Sequence, residues 1–169
     1  MKYPPQLRPN GWANVEIGDS RQIKVPKATP SWKLWAGPAP GESFGNKPIL
    51  DFKGAPAFAE LAILWSFREA GWEGVWVDSY HRRYLHGFWP EPELYELPVE
   101  RAELLARIGA GKPWDVFCWS STEVMFAEAK RFGRDSIRES QEAFLASALN
   151  LGIPLESFLI VEWSVVTGE

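Results

Sequence analysis

Apolar and polar positions change rhythm along this chain, and the change divides it. Through residue 50, apolar runs are few while Pro, Gly and Asn are frequent. The one regular stretch there, residues 14–25, alternates roughly around Gly18-Asp19 and predicts a short hairpin. The rest of 1–50 reads as loop wrapping the surface, anchored by Trp12, Trp32, Trp35 and Phe44. From Pro56, which suits a first helical turn, Phe58, Leu61, Ala62, Trp65 and Ala70 recur at near-helical spacing until Gly71. Residues 74–80 (GVWVDSY) then predict a strand, and 81–97, full of aromatics and prolines, a loop. A second helix is expected over 98–108, closed by Gly109.

The stretch after Gly109 is the most legible. WDVFCWS (114–120) and EVMFAEAK (123–130) read as two strands joined by a short turn. A helix is predicted over 137–150, with Ser136 and Glu139 in capping-box spacing and Gly152 and Pro154 closing it. Residues 157–165 form an apolar strand suited to the centre of a sheet. Helix, strand, inserted helix, hairpin, helix, strand is the order of an α/β fold, a mixed sheet flanked by helices. Two parts follow: an irregular extension over 1–50 and an α/β domain over 51–169.

Strand alternation gives this pattern its chemistry. Within 123–130, Val124, Phe126, Glu128 and Lys130 share one face, while Met125, Ala127 and Ala129 share the other. Antiparallel pairing through the turn at 120–122 brings Asp115, at the start of the preceding strand, opposite Glu128–Lys130. Asp115, Glu128 and the Ala129 carbonyl would offer hard oxygen ligands to Mg²⁺ or Mn²⁺, with Lys130 beside them to orient water or neutralise phosphate charge. A bare D…E-x-K pattern is short, and a surface Glu/Lys pair satisfies it equally. Gln141 adds weight: it interrupts the apolar stripe Ile137, Phe144, Leu145, Ala148, and a buried amide needs a partner.

The run FAEAKRFGRDSIRESQEAFLASALNLGIPLESFLIVEW resembles the VRR-NUC branch of the PD-(D/E)XK, restriction-endonuclease-like nucleases. The matching residues are Asp115, Glu128, Lys130, Asp135 and Gln141, within roughly 113–163. Trp114 stands between Pro113 and Asp115, where the family's acid often follows proline directly. The resemblance implies a restriction-endonuclease-like core and a Mg²⁺- or Mn²⁺-dependent nuclease acting on DNA, with branched, flapped or single-stranded ends among its substrates. It also implies an acid on the first core helix, Glu60 before Glu69, as a further metal ligand.

Composition qualifies this picture. An apolar fraction of 46% and ten tryptophans belong to a folded chain, with most of the indoles as packing. A net charge of -4 argues against a protein that coats DNA, although carboxylates at a cation site add negative charge of their own. Against that total, Arg131, Arg134 and Arg138 gather beside Lys130 as candidate phosphate contacts. Arg82 and Arg83, among His81, His86, Tyr80, Tyr84, Phe88 and Trp89, form a second basic-aromatic candidate. Asp78 is an alternative acid or a turn residue. Cys118 is a core residue, and with the two histidines it gives too few ligands for zinc. The absence of a signal-like segment, membrane span or cysteine framework makes the cytoplasm the expected location. The competing expectations are a non-catalytic nucleic-acid-binding member of the same fold and a protein-interaction module.

Overall fold

The structure is a computed structural model that describes residues 3–18, 20–41 and 44–167. Asp19 lies outside the described residues, as does the side chain of Phe44. The described chain is mixed α/β: three α-helices and a mixed sheet of eleven strands. In chain order the elements are β1 (Gly11–Ile17), β2 (Arg21–Ala28), β3 (Ser31–Leu34), β4 (Leu50–Phe52), β5 (Ala55–Ala57) and α1 (Ala59–Glu69). There follow β6 (Glu73–Asp78), β7 (Arg83–Gly87), β8 (Glu93–Leu94), α2 (Val99–Ile108), β9 (Val116–Trp119), β10 (Val124–Arg131), α3 (Glu139–Asn150) and β11 (Phe158–Val165).

The sheet runs β5-β4-β3-β11-β10-β9-β6-β7-β8. β9 lies antiparallel to both β6 and β10, whereas β10 and β11 are parallel. The expected hairpin before residue 25 is present as β1 and β2, with Val15 opposite Ile23. Here the expectation of surface loop fails. β2 and β3 both pair with β11, so strands from the first 50 residues complete the sheet on the side away from β10. Trp12 does not anchor the segment either; it is 61% exposed, while Trp32 is buried.

Two apolar layers sandwich the sheet. One packs α1 against Trp76, Val116, Cys118, Met125, Ala127 and Leu159. The other packs Phe144, Leu145 and Ala148 of α3 against Val75, Phe117, Phe126 and Ile160. The alternation along β10 sends Met125 and Ala127 to the first layer and Phe126 to the second, as period-two patterning demands. Cys118 is buried, and burial pushes its thiol well above the usual range.

Three local expectations are corrected. Pro56 belongs to β5 and pairs with Asp51, since the outermost strand tolerates a residue without an N–H. Residues 81–97 hold β7 and β8 as well as loop. The start of α3 is also later than predicted: Arg138 is the N-cap residue, and its N–H donates to Gln141 Oε1 at 2.9 Å. The capping role assigned to Ser136 and Glu139 is thus taken by Gln141, which reaches back over its own first turn.

Candidate functional site

β6 and β10 end, and β9 begins, at one end of the sheet. The register Ala127↔Val116 carries Asp115 opposite Glu128. Each carboxylate takes a backbone N–H from the neighbouring strand: the Asp115 N–H donates to Glu128 Oε2 and the Ala129 N–H to Asp115 Oδ2, each at 3.0 Å. Glu128 is 1% exposed, and Lys130 and Gln141 are also buried. Lys130 Nζ lies 2.9 Å from Glu128 Oε1 and donates to Gln141 Oε1 at 3.0 Å. The Gln141 amide donates in turn to Glu128 Oε1. The interrupted stripe on α3 is therefore explained: the amide bridges carboxylate and ammonium, and its Oε1 also holds the helix start.

A cleft of about 440 Å³ opens over this group. Its walls include Glu60, Asp115, Glu128, Ala129, Lys130 and Gln141, with Arg131, Arg134, Asp135 and Arg138 along the rim. Asp135 shapes that rim, accepting the Arg131 N–H at 2.9 Å. Trp163 and Lys112 also line the cleft, and the Arg131 guanidinium lies over the Trp163 ring at 5.4 Å. Glu60 opens α1 and is ion-paired with Lys47. Glu69 instead pairs with Lys53 on the surface, at 2.6 Å.

Lys47, like Lys112, is a cleft residue that sequence reasoning missed. It lies over the Trp76 ring at 5.4 Å as well as pairing with Glu60. Burial opposes its charge, but Glu60, Asp115 and Asp78 outweigh that and hold its ammonium above the usual lysine range. No local pattern marks a lysine in an irregular segment as part of a site built some seventy residues later.

The carboxylates feel the crowding. Loss of water around Asp115 raises its carboxyl well above the usual range, and repulsion from Glu128 and Glu60 adds to this. Burial raises Glu128 as well, tempered by Lys130. A cation would relieve both. Among the described residues, no three His, Cys, Asp or Glu side chains are drawn into a ready-made metal cluster. The donor set nevertheless fits a hard divalent ion: two carboxylates and the Ala129 carbonyl, with water to complete the shell.

Trp114, the residue inserted before Asp115, is fully buried and its indole N–H donates to the Gln141 carbonyl at 3.0 Å. It locks the approach to β9 onto α3 rather than disturbing Asp115. Arg82 and Arg83 do not line the cleft; they border a separate groove with Tyr84 and Tyr95. Arg83 Nε donates to Asp78 Oδ2 at 2.7 Å, and His81 Nδ1 lies 2.8 Å from the same oxygen. These bonds outweigh the burial of Asp78 and hold its carboxyl below the usual range, which makes it a turn anchor. His86 stacks on Tyr95 at 4.1 Å. No helix among the described residues is long and apolar enough to cross a membrane.

No family model, curated protein or solved structure matches this chain.

Proposed function

We propose that the chain is a Mg²⁺- or Mn²⁺-dependent nuclease with a restriction-endonuclease-like core, hydrolysing phosphodiester bonds of DNA. One observation carries this reading: Asp115, Glu128, Lys130 and Gln141 meet at one sheet end beneath an arginine rim. The order α1, β6, β9, β10, α3, β11, with β10 and β11 parallel, supports it as the helix–strand–hairpin–helix–strand core that the resemblance implies.

In this reading Asp115, Glu128 and the Ala129 carbonyl would hold the divalent ion, and Glu60, ion-paired with Lys47 in the structure, would be a further ligand. The ion would supply Lewis acidity toward the phosphate and a more acidic attacking water. Lys130 stabilises charge on the phosphate oxygens or orients the water. Gln141 fixes the Lys130 ammonium and the Glu128 carboxylate relative to each other. Arg131, Arg134 and Arg138 bind the flanking phosphates, outside the reacting group.

A second reading, a nucleic-acid-binding member of the fold without catalysis, draws on the closed network around Glu128. Both of its oxygens already accept hydrogen bonds. The test is cleavage of labelled DNA by the purified chain with Mn²⁺ or Mg²⁺. Glu128→Ala and Lys130→Ala should each lower the rate roughly 100-fold or more, with circular dichroism unchanged. Full activity in either variant, or in EDTA, overturns the nuclease proposal. Binding without scission by the wild type supports the second reading.

A further inference from the structure

Three aromatic side chains among the described residues stand well exposed: Trp12 at 61%, Tyr80 at 85% and Phe132 at 67%. Two of them share the cleft end of the sheet. β6 and β10 both run antiparallel to β9, so their C-terminal ends lie where β9 begins. Tyr80 follows β6 and Phe132 follows β10, which sets the two rings on turns either side of Asp115. Two strand spacings of about 4.8 Å separate those strands by roughly 10 Å.

Both turns are tied down. Buried Asp78 holds Arg83 and His81 around Tyr80. The Phe132 N–H donates to the Trp163 carbonyl at 2.8 Å, and the Asp135 N–H to the Arg131 carbonyl at 3.1 Å. Gly133, at φ +72°, turns the chain between them. Phe132 therefore projects from between two arginines of the cleft rim.

We propose that Tyr80 and Phe132 are base-stacking residues that admit an unpaired nucleic-acid strand to the cleft. The inference rests on the nuclease reading and deepens it. Bases in a duplex already cover one another's faces, so a protruding ring on a fixed turn finds a π-face only on an unpaired base. The neighbouring Arg131 and Arg134 supply the charge that tracks the backbone. A protein partner would favour a continuous apolar patch, whereas each of these rings stands beside arginine or histidine.

The experiment is fluorescence anisotropy of the full chain with a labelled oligothymidylate and a duplex of equal length, in EDTA and again with Ca²⁺. The wild type should prefer the single strand. Tyr80→Ala and Phe132→Ala should each weaken single-strand binding roughly tenfold while duplex binding changes less than about twofold. Phe132→Trp should retain affinity. Unchanged single-strand binding in both alanine variants, equal loss on both probes, or loss in Phe132→Trp equal to that in Phe132→Ala overturns the proposal. If the wild type binds and cleaves DNA while the variants behave as wild type, the stacking proposal alone falls. If the wild type binds neither probe, the nuclease reading falls with it.

Discussion

Asp115 and Glu128 oppose each other, each carboxylate accepting one backbone N–H, and the fold holds them there at a cost. Because both carboxyls are raised, the folded chain binds protons more tightly than the unfolded one. Their contribution to stability is thus fully present below about pH 4 and is lost as pH rises through the folded values. Asp115→Asn removes a buried charge together with its repulsion from Glu128 and Glu60, and keeps an oxygen for the Ala129 N–H. Without divalent ions, the melting temperature of this variant should exceed the wild type's at neutral pH, by a margin that grows from pH 4 upward. Mn²⁺ should raise the wild-type melting temperature and leave the variant's unchanged. A constant or inverted margin in a pH series of thermal melts would refute the account. Glu128, Lys130 and Gln141 were readable in advance because strand and helix periods fix faces locally. Lys47 and Lys112 were not, since only the tertiary fold brings them to the cleft.

At the scale of elements, the approach to β9 works as a brace for α3. The Lys112 N–H donates to the Ser140 carbonyl at 3.0 Å, and the Trp114 indole to that of Gln141. Gly111 makes this approach possible. At φ +68° it occupies the left-handed region, and a Cβ there would lie 2.0 Å from the Ser140 oxygen and 2.8 Å from the Phe144 nitrogen. Both are backbone atoms of α3, so the helix start itself must yield. Gly111→Ala should cost roughly 1–3 kcal/mol, several degrees of melting temperature, and displace Gln141 enough to lower cleavage more than DNA affinity. Wild-type stability and rate in this variant would show that α3 is not braced in this way. Sequence located α2, β9, β10, α3 and β11 closely because each shows sustained periodicity or a clear glycine stop. It missed β7 and β8, since β7 offers Leu85 as its one aliphatic residue and β8 is two residues long, and it misplaced the start of α1 because Pro56 suits an edge strand as well as a first turn.

For the whole molecule, the sequence pattern suggested an appended extension before residue 51, and the pairing of β11 argues for interdependence. β11 has β10 on one side and both β2 and β3 on the other. A fragment starting at residue 51 would leave that second edge of an apolar strand open to aggregation. It would also strip Leu7, Trp32 and Leu50 from one core layer, and Val15 and Val25 from the other. At about 1.5–3 kcal/mol for each such side chain, the loss is on the order of 10 kcal/mol, comparable with the whole stability of a domain. β2 and β3 carry few of the signals of a core from sequence alone, because β11 lies more than a hundred residues away, and β4 and β5 are only three residues long. The 51–169 fragment should therefore melt without a cooperative transition, whereas the full chain melts in one step that both near- and far-ultraviolet circular dichroism follow. A sigmoidal melt of the fragment with native-like tryptophan signals would show instead that β10, β11 and the two helices packed on them fold without the strands that complete their sheet.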